Sequence, residues 1–412
     1  MEAKVFENHR KNILSQMNDN SLMVIFSRAK EDSIVNQKYN VNRNYYYLCG
    51  ILEYENIVLL SKINGHTSEM IFIHPYDEFK AKWVGAPLDK AVVEEISGIK
   101  NIRYLDTFDT TLARMLEAVE QVYLDIEPSG LNGVLTEDES FAGKIKEKFP
   151  WIGIKNARAL FTKSRTIKDV EEIEEMRKAI AITNQGIQAI LTNLKESYEY
   201  QIESYFDQAI KYYGATGYAF PTIAASGKNA CCLHYGDNSS IAKDGDLILF
   251  DLGASVNMYC ADISRTFPVN GKFTARQKEL YNIVLQGQQT VFDHVRPGIT
   301  TRELNNVLID YYAKELKRIG LIHEDSEVSK YYYHGVSHHI GLDCHDLCEY
   351  TPLKPGSVIS NEPGLYIAEE GIGIRIEDDV LVTENGAEWL SPQIIKTVED
   401  LSLIHISEPT RP

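Results

Sequence analysis

The sequence predicts a mixed protein of the α/β (α+β) class: a small α/β domain followed by a larger domain in which helices and strands are mixed. Three observations support this. Short apolar strands alternate with helical stretches over the first third of the chain. A long segment of helical period then begins near residue 166. The remainder carries both patterns with no tandem repeat and no low-complexity linker. The boundaries read as 1–155 and 156–400, with 401–412 set apart.

In the first domain, "SLMVIFSRA", "NIVLLSKI" and "EMIFIHP" are short, apolar and rich in β-branched residues, so they predict buried strands. "DTTLARMLEAVE" predicts a helix and "QVYLDI" another strand. The long helix has apolar residues at Val170, Ile173, Met176, Ile180, Ile187 and Ile190, spaced by three, four or seven. Thr166 can cap its start, Asp169 and Glu171 suit the positive end of its dipole, and its acidic outer face reads as solvated surface. Three further helices are expected over "ESYFDQAIKYYG", "ARQKELYNIVLQGQQTVFDHV" and "TRELNNVLIDYYAKELKRIG". The ending "LSLIHISEPTRP" has no period and no cap, and reads as a non-native tail.

With 412 residues and a net charge of −17, the chain can bury a sizeable core, and its acidity argues against nucleic acid or anionic membrane as a partner. The start lacks the apolar core of a signal peptide, and no apolar run approaches a membrane span. The six cysteines (Cys49, Cys231, Cys232, Cys260, Cys344 and Cys348) form no CxxC pair and read as reduced thiols, which suits a cytoplasmic protein. Cys344 and Cys348 flank His345 without zinc-ribbon spacing, and read as buried free thiols rather than a thiolate metal site.

"DLILFDLGASVNMYCADISRTFP" reads as a hairpin whose two apolar strands are each interrupted by an acid, Asp251 and Asp262. With a two-residue turn at Val256–Asn257 the two acids stand directly opposite, with β-carbons about 4.5–5.5 Å apart. Facing carboxylates repel, so one must be protonated or a cation must lie between them. A single such Asp would ordinarily cap a turn or point outward; two on one face weaken that reading, but spacing alone leaves it level with a cation site, and further ligands must decide. Further along, "YYYHGVSHHIGLDCHD" carries His334, His338, His339 and His345, four of the eleven histidines in the chain. In "SVISNEPGLYI", Pro363 ends a strand and leaves Glu362 at its end, placed either to enter a site or to serve as a turn acid. In "GIGIRIEDDVLVT", alternation sets Gly373, Arg375 and Glu377 on one face, with Asp379 a competitor on that face. Asp251, Asp262, Glu362 and Glu377 supply four negative charges, which two divalent cations balance with a neutral imidazole completing the set. Oxygen-rich ligation with one nitrogen suits Mn²⁺, Co²⁺, Fe²⁺ or Zn²⁺. A metal pair of this kind lowers the pKa of a shared water and polarises a carbonyl, which is hydrolase chemistry.

The order Asp251, Asp262, His338, Glu362, Glu377 resembles the five ligands of the pita-bread dinuclear metallopeptidases. "HGVSHHIGLDCHD", "EPGLY" and "GIGIRIEDD" resemble the aminopeptidase P, or Xaa-Pro aminopeptidase, branch. "NRNYYYLCGI" resembles the start of that family's N-terminal domain, with Asn44 where relatives often have Asp, and "RTIKDVEEIEEMRKA" resembles the first helix of its catalytic domain. The resemblance implies a creatinase/aminopeptidase-like pita-bread catalytic domain and two bound divalent metals, Mn²⁺ first among them. It implies that Asp251 binds one metal, that Asp262 and Glu377 bridge both, and that His338 and Glu362 complete the second site, with Glu362 also the general base. His234, His334 and His345 would line the substrate site and stabilise the tetrahedral intermediate. Arg375 would support the site from behind, and Tyr366 would lie near the substrate. The implied reaction is hydrolytic release of the first residue from peptides with proline second. The alternatives are an Xaa-Pro dipeptidase on the same fold, or a metal-free creatinase-like enzyme or binding protein. Relatives are commonly dimers or tetramers.

Overall fold

The computed structural model describes residues 1–28, 41–127 and 133–404. The chain divides into two compact units, Met1–Arg165 and Thr166–Pro412. The first unit runs past residue 155 because it keeps the helix Arg158–Arg165, which packs on the helix Ala3–Gln16. In the second unit the helix Val398–Ile404 carries a buried Leu401. The last residues of the tail read as non-native, 405–412, lie outside the described residues. Among the described residues no helix is long and apolar enough to cross a membrane.

The first unit is built on a six-stranded sheet in the order β4-β3-β2-β1-β5-β6. Its strands are β1 (Ser21–Phe26), β2 (Ile57–Ile63), β3 (His66–Ile73), β4 (Ile102–Tyr104), β5 (Gln121–Leu124) and β6 (Gly153–Asn156). Four of these lie in the runs that composition marks as strands. β1 pairs antiparallel with β2 and parallel with β5. Leu22, Val24, Leu59, Phe72, Val122 and Leu124 on one face pack with Phe108, Leu112 and Ile145 from helices. The run is apolar without alternation because both faces are covered. Asn44 has a local reason here: its side-chain amide donates to Asp125 Oδ2 at 2.9 Å and its oxygen accepts from Arg165 Nη1 at 2.8 Å. A carboxylate at 44 would face Asp125 instead.

The second unit opens with the helix Val170–Asn193. Its N-cap is Asp169, in a capping box with Glu172; Thr166, the cap expected from sequence, instead accepts from the Glu349 backbone N–H at 2.9 Å. Asp169 wins because its carboxylate meets the Glu172 N–H while Glu172 reaches back to the Asp169 N–H, satisfying two end donors at once. Val170 is exposed, whereas Glu172 and Glu175, read as solvated, are buried. Those acids hold a hairpin tip: Tyr259 Oη donates to Glu172 at 3.0 Å and Asn257 Nδ2 to Glu175 at 3.0 Å.

That tip belongs to the ribbon formed by Leu247–Leu252 with Ile263–Pro268, extended by Ala254–Val256 with Tyr259–Cys260. Asp251 pairs with Ser264, and Val256 with Tyr259. The turn therefore lies at Asn257–Met258, whose φ values are 47° and 69°, one residue later than the sequence reading placed it. Asn tolerates a left-handed backbone far better than Val, so the turn starts at Asn257. The pairing slides by two residues, so Asp262 falls diagonal to Asp251 rather than opposite, yet still on its face. At Gly253, opposite Asp262 in this register, an added Cβ would lie 1.9 Å from the carbonyl oxygen of Ala261. The two chains approach too closely there for any side chain.

A second ribbon pairs Val358–Asn361 with Asp378–Val382, and Gly364–Ile367 with Ile372–Arg375. The ribbons are tied together where Glu377 N–H donates to Ser264 C=O at 3.0 Å and Arg375 N–H to Thr266 Oγ1 at 3.2 Å. Behind them, buried Arg265 meets buried Asp378 at 2.7 Å, and Asp378 also accepts from Ser391, Lys396 and Gln288.

Two outcomes follow for stability. Gly253→Ala lowers unfolding free energy by about 1–3 kcal/mol through overpacking of backbone on backbone, read by urea denaturation. Asp378→Asn is harsher, about 3–5 kcal/mol, because it leaves Arg265 as an uncompensated buried charge; a thermal midpoint within a degree or two of the parent would contradict the ion-pair role.

Candidate metal centre

The two ribbons deliver acids to one place. Asp251 and Asp262 come from the first. Glu377 lies between two strands of the second, and Glu362 lies where Pro363 ends the strand Val358–Asn361. The imidazole arrives by a less obvious route. Residues 336–340 run antiparallel along that strand: Glu362 N–H donates to Val336 C=O, Ser360 N–H to His338 C=O, and Ile340 N–H to Val358 C=O. His339 bridges Ile359. Pairing parity therefore puts His338 on the face of Ser360 and Glu362, and turns His339 to the opposite face. His338 Nε2 is 3.4 Å from Asp262 Oδ2 and 3.4 Å from Glu362 Oε1. Asp262, His338 and Glu377 bring candidate ligand atoms within 4.8 Å of one another.

The electrostatics of this cluster call for a cation. Asp262 and Glu377 are fully enclosed, and their carboxyls are held well above the carboxylate range, first by burial and then by neighbouring carboxylates, Asp251 for Asp262 and Asp262 for Glu377. Burial pushes Glu362 up to about 8, with Arg375 opposing and Asp251 adding to the rise. Asp251 Oδ1 is buried without a hydrogen-bond partner. Burial, then His345, lowers His338 to about 4, so at neutral pH it keeps a lone pair to offer. Oxygen donors that repel one another, an orphaned carboxylate oxygen and a neutral imidazole fit a site for divalent cations.

Around this centre a hydrogen-bonded frame fixes the acids. Arg375 Nη2 donates to Asp251 Oδ2 at 2.6 Å, its Nε to Ser264 Oγ at 2.8 Å, and its Nη1 to Tyr366 Oη at 3.1 Å. Ser264 Oγ donates onward to Glu377 Oε2 at 2.7 Å. His334 Nδ1 is 2.7 Å from Gly335 C=O and its Nε2 is 2.8 Å from Tyr366 Oη. The carbonyl can only accept, so the proton sits on Nδ1 and Tyr366 donates to Nε2. Both ring nitrogens of His334 are thus engaged. Asp379, the competitor on the ligand face, turns Oδ2 to the Asp262 backbone N–H at 3.3 Å, and Asp378 serves Arg265.

The remaining histidines divide. His345 is exposed, its ring 4.1 Å from that of His338 between centroids. His234 is exposed and lies near His334, whose imidazole is lowered to about 4 chiefly by burial, with Gly335 opposing and Arg375 and then His234 adding to the fall. Its loop hangs on Glu199, a fully buried acid. Glu199 accepts from Ser226 N–H and Oγ at 2.7 Å each, from Asn229 at 3.1 Å, and from Tyr235 and Ser240 at 2.9 Å each. Burial raises the Glu199 carboxyl, but these donors outweigh it and hold the group below its usual range. His339 is instead buried beside the ion pair of Lys168 and Asp346, which are 2.9 Å apart. Sequence reasoning missed Glu199 and Ser264. A helix-start Glu and a strand Ser are too common to signal a role, although Ser264 lies two residues beyond Asp262 and so shares its face.

Comparison with known proteins agrees with this architecture. Residues 174–384 match the metallopeptidase family M24, and residues 6–123 match the aminopeptidase P N-terminal domain. A Xaa-Pro aminopeptidase of Haemophilus influenzae is 31% identical, covering 96% of each chain. A solved structure of a candidate aminopeptidase P from Bacillus anthracis superimposes with a TM-score of 0.96 at 42% identity over 100% of both chains. Aminopeptidase P from Escherichia coli, solved with the inhibitor Pro-Leu, gives 0.89 at 28% identity over 99% of both. Two buried ribbons converging on acids and one imidazole, together with the family matches of both units, place this chain in metallopeptidase family M24.

Proposed function

We propose that this chain is a metal-dependent Xaa-Pro aminopeptidase, releasing the first residue of peptides whose second residue is proline. The observation that carries the reading is the convergence of Asp251, Asp262, Glu362 and Glu377 with neutral His338, in a fold whose relatives are Xaa-Pro aminopeptidases. These five residues would hold two divalent ions, Mn²⁺ by donor hardness, with Co²⁺, Zn²⁺ or Fe²⁺ as alternatives. When bound, such a pair supplies an activated water and polarises a carbonyl.

The side chains supply the rest. Glu362 accepts the proton released on attack. The scissile nitrogen of an Xaa-Pro bond carries no hydrogen, so it must receive a proton as it leaves, and the carboxyl that took one up can return it. His234 and His345, exposed at the rim, donate to the peptide and to the developing oxyanion. His334 acts through Tyr366, orienting that hydroxyl while Arg375 holds Asp251 and Tyr366 in place.

Chelation abolishes turnover, and Mn²⁺ restores it more fully than Zn²⁺, measured on a proline-second tripeptide. Asp262→Asn lowers kcat by on the order of 10³-fold through loss of several kcal/mol of charge stabilisation. In metal-free protein the same change raises stability, since it removes one of the mutually repelling carboxylates; calorimetry after chelation reads this. A lower melting temperature for metal-free Asp262→Asn would contradict the crowding described above. His345→Ala lowers kcat by about 10²-fold with metal content retained. A series of Xaa-Pro peptides of increasing length checks the substrate class: cleavage of the dipeptide alone would make the enzyme a dipeptidase.

A further inference from the structure

The spacing of Cys344 and Cys348 about His345 marks them only as free thiols, but the fold brings one of them to the metal centre. Cys344 Sγ lies 2.9 Å from Asp262 Oδ2, the same oxygen that is 3.4 Å from His338 Nε2. Its sulfur also falls with ring nitrogens of His338 and His345 in a set of candidate ligand atoms all within 4.8 Å of one another. A half-buried sulfur, two imidazoles and a carboxylate oxygen therefore converge from a single loop and the strand end facing it. A thiol is a weak donor to a carboxylate, so hydrogen bonding alone makes poor use of sulfur at this point. As a metal donor it adds something the acids cannot, because thiolate selects softer ions than carboxylate does.

We propose that Cys344 is a further metal donor of this chain, making the centre a mixed oxygen, nitrogen and sulfur site that takes a thiophilic divalent ion, Zn²⁺ or Cd²⁺, through Sγ together with His338 and His345. The inference rests on the metal-centre reading above. On binding, the S–H bond is replaced by a sulfur–metal bond, the proton leaves to solvent, and no electrons are exchanged. His338 belongs to both donor sets, so a soft ion held by the sulfur competes with Mn²⁺ for that imidazole. The sulfur thereby tunes which metal the protein retains from a mixture.

The test is cobalt substitution of the full chain, with metal content measured alongside the near-ultraviolet spectrum. Thiolate ligation produces an intense sulfur-to-cobalt charge-transfer band that oxygen and nitrogen donors do not. The wild-type protein is expected to show it. Cys344→Ser and Cys344→Val, each checked for folding by circular dichroism, are expected to bind cobalt and lose the band. In competition, both variants shift preference from Cd²⁺ toward Mn²⁺ by on the order of tenfold. Wild-type protein that binds cobalt without the band overturns the proposal, as does a band that persists in both variants. Failure to bind cobalt at all overturns the metal-centre reading, and this inference falls with it.

Discussion

The structure depends on four carboxylates being held together against their own repulsion. Packing creates the conflict. The first ribbon cannot bury its apolar face without carrying Asp251 and Asp262 inward, and the second cannot dock on it without adding Glu377 and Glu362. The hydrogen bonds from the Glu377 and Arg375 backbone N–H groups to Ser264 C=O and Thr266 Oγ1 leave the acids no room to diverge. Arg375 offsets part of the charge at Asp251, but a single guanidinium cannot neutralise four acids. The remainder is a standing electrostatic demand for cations, built from covalent and hydrogen-bonded parts that exist before any ion arrives.

A layer of polar contacts converts that demand into fixed geometry. Ser264 joins Arg375 to Glu377, Tyr366 joins Arg375 to His334, and Ser360 donates to Glu362 at 3.2 Å. Each donor takes up a carboxylate or imidazole direction that would otherwise be free to rotate. Farther out, Glu199 gathers five donors to shape the loop of His234, and the pair of Lys168 with Asp346 anchors the loop of His338 and His345. The functional side chains are mobile types, yet most have no alternative position that keeps their hydrogen bonds.

Much of this was legible in the chain. The interruption of apolar runs by Asp251 and Asp262, the strand stop at Pro363, and the alternation that puts Glu377 beside Arg375 are local patterns, and they located the acids of the site. What was illegible depended on partners distant in sequence. The turn began at Asn257 because of the φ angles two residues must adopt, which composition hints at but does not fix. Glu172 and Glu175 looked like a wetted helix face because nothing near them in sequence reveals that Tyr259 and Asn257 come to them. Without the motif resemblance, only pairing along a strand twenty residues downstream tells His338 from His339, and the motif alone does not reveal that Gly335 and Tyr366 engage the nitrogens of His334.

The unbroken register of the first ribbon through Gly253 has a consequence for how such a chain can vary in length. Side-chain direction alternates residue by residue, so adding or removing one residue with the two-residue turn kept would rotate Asp262 to the back of the sheet while leaving Asp251 in front. A change of two would restore the match. Insertions that keep the two-residue turn are therefore tolerable only in even steps, and even those must keep something at the tip for Glu172 and Glu175 to grip.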